Sequence, residues 1–150
     1  MDWIGVVHLV FGWGMVLYLL YPVITAWLRG VDAQKQVTGI TFMIVFNRIG
    51  QFLLLLQFLG GGMYMAQLSK TGVKYTVFWM AAVVVILIVI GAFSGMMAKP
   101  LKQWRAEAEN GVVQTIFANK VLIFSLLNAL AYAVIMFMMY HPMYKDAVVG

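Results

Sequence analysis

The sequence predicts an all-α integral membrane fold, a four-helix up-down bundle with both chain termini on the outer side of the membrane. Of the 150 residues, 64% are hydrophobic and only 10% are charged, whereas soluble domains are about 45–50% apolar and about 25% charged. Four long apolar stretches are present, and about 20 apolar residues cross a bilayer as one helix. The stretches are continuous, unlike the alternating segments of roughly ten residues that build membrane β-barrels.

The four predicted spans form a single domain and cover residues 3–28, 40–68, 77–97 and 121–140. The first span contains His8, and the second is interrupted by Arg48. The longest connection, residues 98–120, carries Trp104 among charged residues, which predicts a short helix on the cytoplasmic membrane surface. Gly111 is expected to end that helix.

Basic residues in the connections predict the orientation. The first and third connections carry six of them: Arg29, Lys35, Lys99, Lys102, Arg105 and Lys120. The second connection and the C-terminal tail carry three: Lys70, Lys74 and Lys145. Because Lys and Arg are enriched in cytoplasmic loops, we expect the first and third connections on the cytoplasmic side of a bacterial cytoplasmic membrane. The net charge of +5 then reflects these connections and not nucleic-acid binding.

Several classes of site are absent from the sequence. There is no cysteine, which excludes disulfides, thiolate metal sites and cysteine nucleophiles. There is also no Walker loop, no dinucleotide-binding glycine pattern and no HExxH pattern. No acidic residue lies in a predicted span, so a conventional proton or sodium relay is not expected. These absences favour a binding or structural role over catalysis.

Arg48 allows two interpretations. A charge inside a span is costly, about 2.5–3.5 kcal/mol at mid-membrane on insertion scales. If the apolar core of the second span begins just after Arg48, its guanidinium reaches the cytoplasmic interface. If Arg48 instead faces the bundle, Gln51 shares its helix face. The pair would then hold an anionic group such as a haem propionate, a lipid phosphate or a substrate carboxylate.

The two histidines, His8 and His141, are the candidate cofactor ligands, and both are expected near the outer face. Imidazole binds metal ions and haem iron, and thioethers join it as ligands of Cu(I). Five methionines of the outer half are candidate supplementary copper ligands: Met63, Met65, Met138, Met139 and Met143. The alternatives are a hydrogen bond from His8 to another helix and methionines that only fill gaps in the packing.

The first two spans carry short motifs that are similar to those of a known family. His8 is followed by FGWGMVLYLLYP, and Arg48 is followed by QFLLLLQFLGGGMYM. These segments resemble the first two helices of copper-resistance D-type membrane proteins and of the small four-helix bacterial membrane proteins related to them. The resemblance implies metal or haem handling, with His8 as a ligand. In size, topology and first-span histidine the chain also resembles the haem-dependent protoporphyrinogen oxidases.

Three functional hypotheses follow. The first is binding or transfer of copper or haem b near the outer face, by a protein embedded in the lipid bilayer. The second is a non-catalytic subunit without a cofactor, which packs in a larger membrane complex or a homo-oligomer through the wide apolar faces of the third and fourth spans. The third is a haem-dependent oxidase of the protoporphyrinogen-oxidase type. Loss of a bound cofactor on His8→Ala substitution separates the first hypothesis from the second.

Overall fold

The computed structural model describes residues 3–144, which fold as five helices joined by short connections. The helices are α1 (Trp3–Gly14), α2 (Leu17–Leu28), α3 (Ala33–Lys70), α4 (Val77–Glu109) and α5 (Ile116–Tyr140). Because α1 and α2 form one interrupted span, these residues contain four segments long and apolar enough to cross a membrane. The predicted all-helical fold with four segments of spanning length is confirmed.

The connections lie alternately at two ends of the bundle. At the loop end, where the α2–α3 and α4–α5 connections lie, the Gln36 side chain donates to the Val113 carbonyl oxygen (3.1 Å). At the opposite, terminal end, which holds the α3–α4 connection, the Trp79 indole N–H donates to the Met138 carbonyl oxygen (3.2 Å). Consecutive spans are therefore antiparallel.

Local sequence signals fix the ends of the last three helices. Asp32, Thr76 and Thr115 precede α3, α4 and α5, and each accepts a hydrogen bond from a backbone N–H of the first turn. After α3 and α4 the chain turns through Gly72 (φ +88°) and Gly111 (φ +80°), a conformation that glycine adopts without strain. Each connection is thus bounded by a glycine turn or a helix cap.

Two helices extend beyond the predicted apolar spans at the loop end. α3 already begins at Ala33, and α4 continues through Pro100 to Glu109 instead of ending before a separate surface helix. The α4 extension packs into the bundle, where the Trp104 side chain is fully buried. Its indole N–H donates to the Gln36 side-chain oxygen (3.2 Å), which ties the extension to α3.

The first span is interrupted at Met15 and Val16. Backbone N–H groups there bond to carbonyl oxygens three residues back: Met15 to Gly12 (3.2 Å) and Val16 to Trp13 (3.1 Å). Glycine before the break and Pro22 after it both disfavour a regular helix. The break allows α1 to pack against α3 while α2 packs mainly against α5.

The packing of this interrupted span opens the bundle at its terminal end. α2, α3, α4 and α5 form a closed ring, whereas α1 packs against α3 and has no extensive contact with α4 or α5. One hydrogen bond links α5 to the last turn of α1: the Tyr132 hydroxyl donates to the Gly12 carbonyl oxygen (2.6 Å). Beyond this bond, toward the terminal end, the helices enclose a cavity.

A buried polar cluster sets the register of three helices in the closed half. The Asn47 side chain donates to the Ser94 carbonyl oxygen (3.0 Å) and accepts from the Ser94 hydroxyl (2.7 Å), which joins α3 to α4. The Tyr18 hydroxyl of α2 lies 3.2 Å from the same Ser94 hydroxyl. Because all three residues are buried, the cluster fixes α2, α3 and α4 relative to one another.

Candidate functional site

The terminal half of the bundle contains a cavity of about 550 Å³ between α1, α3, α4 and the end of α5. Its volume falls in the range of about 300–1,000 Å³ that is usual for small-molecule and cofactor sites. Most of its lining is aliphatic, aromatic or methionine side chain, and His8 and Gln57 are its most polar members. The cavity is therefore suited to a largely apolar ligand with one polar anchor.

His8 lines this cavity, and its imidazole extends from α1 toward α3. Its Nε2 lies 3.1 Å from the Gln57 side-chain nitrogen. Its ring stacks on Tyr64, with 5.8 Å between ring centroids. The His8 Nδ1 is buried and has no hydrogen-bond partner among residues 3–144. The expected hydrogen bond from His8 to another helix is present, but it uses only one of the two ring nitrogens.

Gln57 is the second polar member of the site, and the sequence analysis missed it. Its side chain is buried, and its Oε1 also has no hydrogen-bond partner in the described part of the chain. The signal in the sequence was a polar residue in the middle of the apolar run QFLLLLQFLGGG, where polar groups are costly. His8 and Gln57 together leave two polar atoms unpartnered beside an apolar cavity.

Glycine allows the close approach of α1 to α3 at this site. A Cβ atom added at Gly61 would lie 3.1 Å from Cε1 and 3.5 Å from Nδ1 of His8. A Cβ atom added at Gly12 would lie 3.4 Å from the Gln57 side-chain nitrogen. The bare backbone of Gly61 therefore faces the imidazole edge that carries the unpartnered nitrogen.

Part of the predicted methionine set lines the same cavity as His8. Met63, Met65 and Met139 do so, and they are joined by Met80 and Met136. Met138 is half-buried outside the lining, and Met143 is exposed. The structure thus brings the thioethers of α3, α4 and α5 to one cavity. Met80 and Met136 were not among the five predicted copper ligands.

His141 is not part of this cavity. It is exposed directly after α5, its ring stacks on Phe137 (4.4 Å between centroids), and its Nδ1 lies 3.0 Å from the Phe137 carbonyl oxygen. In the described residues no group of three or more His, Asp or Glu side chains is placed to hold a metal ion. A ligand in the cavity would therefore meet a single histidine.

Arg48 and Gln51 also lie away from the cavity. Arg48 is exposed on α3, next to the buried Asn47, and Gln51 is half-buried. Gln57 is nine positions after Arg48 in α3, which corresponds to about 14 Å along the helix axis. The Arg48 side chain is therefore exposed on the surface of the bundle and does not face the bundle interior.

Stacked aromatic rings lie at the terminal end of the cavity, where Tyr75 and Trp79 belong to its lining. Tyr75 stacks between Trp79 (4.8 Å between centroids) and Tyr144 (5.3 Å). Burial, with the neighbouring Tyr144 hydroxyl, raises the pKa of the Tyr75 hydroxyl, which therefore stays neutral at physiological pH. The Tyr75 hydroxyl is an uncharged polar group of the lining, whereas the Trp79 indole N–H already donates to the Met138 carbonyl oxygen.

Comparison with known proteins gives no relative for this chain: no family model, curated protein or solved structure matches it. The functional argument therefore depends on the cavity and its residues.

Proposed function

We propose that this chain is an integral membrane protein that binds haem b in the cavity of its terminal half, with His8 as the iron ligand. The observation that carries the proposal is that His8 lines an apolar cavity of about 550 Å³ and has one ring nitrogen without a hydrogen-bond partner among the described residues. A neutral imidazole nitrogen is the protein ligand that haem iron takes most often in binding proteins.

The shape and chemistry of the cavity support a flat cofactor. Glycines at Gly12, Gly61 and Gly62 leave bare backbone in the lining, where a planar ring can approach closely. Aliphatic and aromatic side chains of α4 also line the cavity and would give a flat ring apolar contact. Haem b would supply one-electron redox chemistry, or would itself be the cargo.

Several residues of the chain would contribute to haem binding. His8 supplies the ligand nitrogen, and Tyr64 stacks on its ring and limits its rotation. Thioethers such as those of Met80 and Met136 lie in the same lining and are suitable second ligands. Arg48 is exposed about two and a half turns of α3 from Gln57, so we assign it to the membrane interface and not to a propionate.

The proposed orientation places the cavity near the outer face. The loop end carries the basic residues of the first and third connections, which favours a cytoplasmic location for that end. Arg48 lies level with Ser94, because its neighbour Asn47 bonds to Ser94. From that depth its guanidinium can extend to the cytoplasmic headgroups.

Binding of Cu(I) is a second candidate function, favoured by one observation. Five methionines (Met63, Met65, Met80, Met136 and Met139) line the cavity together with His8. Thioethers and imidazole are the ligands that Cu(I) prefers when thiolates are absent. A copper ion alone would leave most of the cavity volume unused, which is why haem is the first proposal.

Spectra and metal analysis of the purified protein distinguish these functions. We expect detergent-purified protein, supplied with haem b during expression, to show a stoichiometric Soret band in oxidised and dithionite-reduced spectra. His8→Ala should lose the band, whereas His141→Ala, at the exposed histidine, should keep it. Stoichiometric copper in metal analysis without a Soret band would favour the second function. A folded protein that takes up neither haem nor Cu(I) on titration would overturn both and favour a subunit role in a larger complex.

A further inference from the structure

We propose that a groove between α2 and α3 at the loop end binds phosphatidylethanolamine, a phospholipid whose headgroup carries a phosphate and a primary ammonium. This α2–α3 groove has a volume of about 650 Å³. Its lining runs from Trp27 near the end of α2, through Asp32, to Phe42 in α3. The proposal depends on the embedding of the chain in a membrane, but not on haem, on the cavity of the terminal half or on the orientation of the bundle.

The polarity of the α2–α3 groove changes along α3. Asp32 and Lys35 lie at its loop end, Thr38 follows after about one turn, and Phe42 follows after another. Phe42 is seven positions after Lys35, which corresponds to about 10 Å along the helix axis. The rings of Phe42 and of Trp27 on α2 are exposed, as is usual for aromatic residues at the headgroup level. The groove therefore matches a phospholipid whose headgroup lies at the loop end and whose acyl chains lie against the two rings.

Small residues keep the space between the two rings open. A Cβ atom added at Gly39 would overlap the Leu28 side chain, so α2 and α3 approach each other closely at this point. Gly39 and Thr38 both line the groove between Trp27 and Phe42. A larger side chain at position 38 would fill the space in which a lipid is proposed to lie.

The charges of the α2–α3 groove favour a headgroup that carries both signs. The Lys35 ammonium lies 3.0 Å from the Asp32 carboxylate, and both side chains are exposed. The other described residues of the lining are uncharged, so the groove has no net charge. Exposed ion pairs of this kind are held weakly and can exchange partners. A ligand with a single charge would be attracted by one side chain and repelled by the other.

Phosphatidylethanolamine satisfies both members of the ion pair. Its phosphate can accept from the Lys35 ammonium, and its own ammonium can donate to the Asp32 carboxylate. Asp32 already accepts from the Lys35 backbone N–H (3.0 Å) as the cap of α3, which holds the carboxylate in place. The quaternary ammonium of phosphatidylcholine has no N–H to donate, and phosphatidylglycerol has no cation. The chemistry of the groove therefore favours the primary ammonium.

The test is native mass spectrometry of delipidated, detergent-purified protein with an equimolar mixture of the three phospholipids, all with the same acyl chains. We expect phosphatidylethanolamine to bind most tightly. Lys35→Gln should weaken its binding by about 2–5-fold, the effect of losing one exposed charged contact. Asp32→Asn keeps a good helix cap but leaves the groove positively charged, so the preference should shift to phosphatidylglycerol. Thr38→Phe should weaken binding of all three lipids.

A second exposed ion pair provides the matched control. Arg105 and Glu109 pair at 2.9 Å at the same end of the bundle, outside the lining of the α2–α3 groove. Glu109→Gln removes a carboxylate there, and Lys102→Gln removes an exposed ammonium of the same end. We expect both variants to keep the lipid preference of the parent.

Three results would overturn the proposal: equal binding of the three lipids by the parent, a preference of the parent for phosphatidylglycerol, or the same changes in the control variants as in Asp32→Asn and Lys35→Gln. Absorption spectra of the same samples test haem binding separately. Because the groove and the cavity lie at opposite ends of the bundle, these variants should leave a Soret band unchanged. Failure of one proposal therefore leaves the other standing.

Discussion

The Tyr132 hydroxyl lies 2.6 Å from the carbonyl oxygen of Gly12 and donates a hydrogen bond to it. This bond links α5 to the last turn of α1, at the point where the closed ring of helices opens into the cavity. α1 has no other extensive interaction with α5 in the described residues. The bond therefore sets how far α1 stands from α5.

Removal of this hydroxyl should loosen α1. We expect Tyr132→Phe, which keeps the buried ring, to lower the free energy of unfolding by about 0.5–1.5 kcal/mol. Amide hydrogen exchange in α1 should become faster while exchange in α3 and α4 stays the same. Tyr140→Phe, at an exposed tyrosine of the same helix, is the control for thermal stability. Equal exchange rates of α1 in both variants would contradict the prediction.

Gly50 is required for the packing of α2 against α3. A Cβ atom added there would overlap the Tyr18 hydroxyl and ring, and that ring is buried and in contact with Ser94. We expect Gly50→Ala to lower the free energy of unfolding by about 1–3 kcal/mol through overpacking. Gly60→Ala on the same helix meets nothing within 4 Å and should raise stability by up to about 1 kcal/mol through helix propensity. Thermal unfolding in detergent measures both, and the same sign for both would contradict the steric argument.

Asn128 is a buried polar residue whose replacement should stabilise the fold. It is fully buried in α5, and neither amide atom of its side chain has a hydrogen-bond partner within residues 3–144. A buried, unpaired polar group costs about 1–3 kcal/mol, so Asn128→Leu, of similar size, should raise the thermal midpoint. Asn47→Leu should lower it, because Asn47 bonds twice to Ser94. A lower midpoint for Asn128→Leu would indicate that Asn128 has a partner in the membrane-embedded protein.

Gly61 should control access to the His8 ring. A methyl group there would lie 3.1 Å from His8 Cε1, so Gly61→Ala must displace the imidazole by a few tenths of an ångström. We expect at least a 10-fold loss in haem affinity, since ligand misplacement on this scale is costly at a metal site. Gly60→Ala is the control, because position 60 is outside the cavity lining and a methyl group there meets nothing within 4 Å. Equal haem affinities for the two variants, measured by Soret titration, would refute this role for Gly61.

The absence of cysteine allows a direct test of orientation. Thr71→Cys places a single thiol at the exposed terminal end, and Gln114→Cys places one at the exposed loop end. With the loop end in the cytoplasm, a membrane-impermeant maleimide should label Thr71→Cys in intact cells. It should label Gln114→Cys only after the membrane is permeabilised. The reverse pattern would invert the proposed topology.

The sequence by itself determined the fold class and the spans. The four apolar stretches are long enough to predict four antiparallel helices, because hydrophobicity is a local property of the chain. The same local signals did not predict that α4 would continue through Pro100 to Glu109. That extension depends on the burial of Trp104 against Gln36, a contact between residues distant in the chain.

Only the tertiary structure decided which candidate residues meet. His8 and three of the predicted methionines line one cavity, whereas His141 and Arg48 are on the surface. Gln57, on another helix, is the partner of His8. Helical periodicity gives the face of a residue on its own helix, but the break at Met15 and the rotation of each helix against its neighbours set what that face contacts. Those rotations come from the packing of the whole bundle, and no single segment of the sequence encodes them.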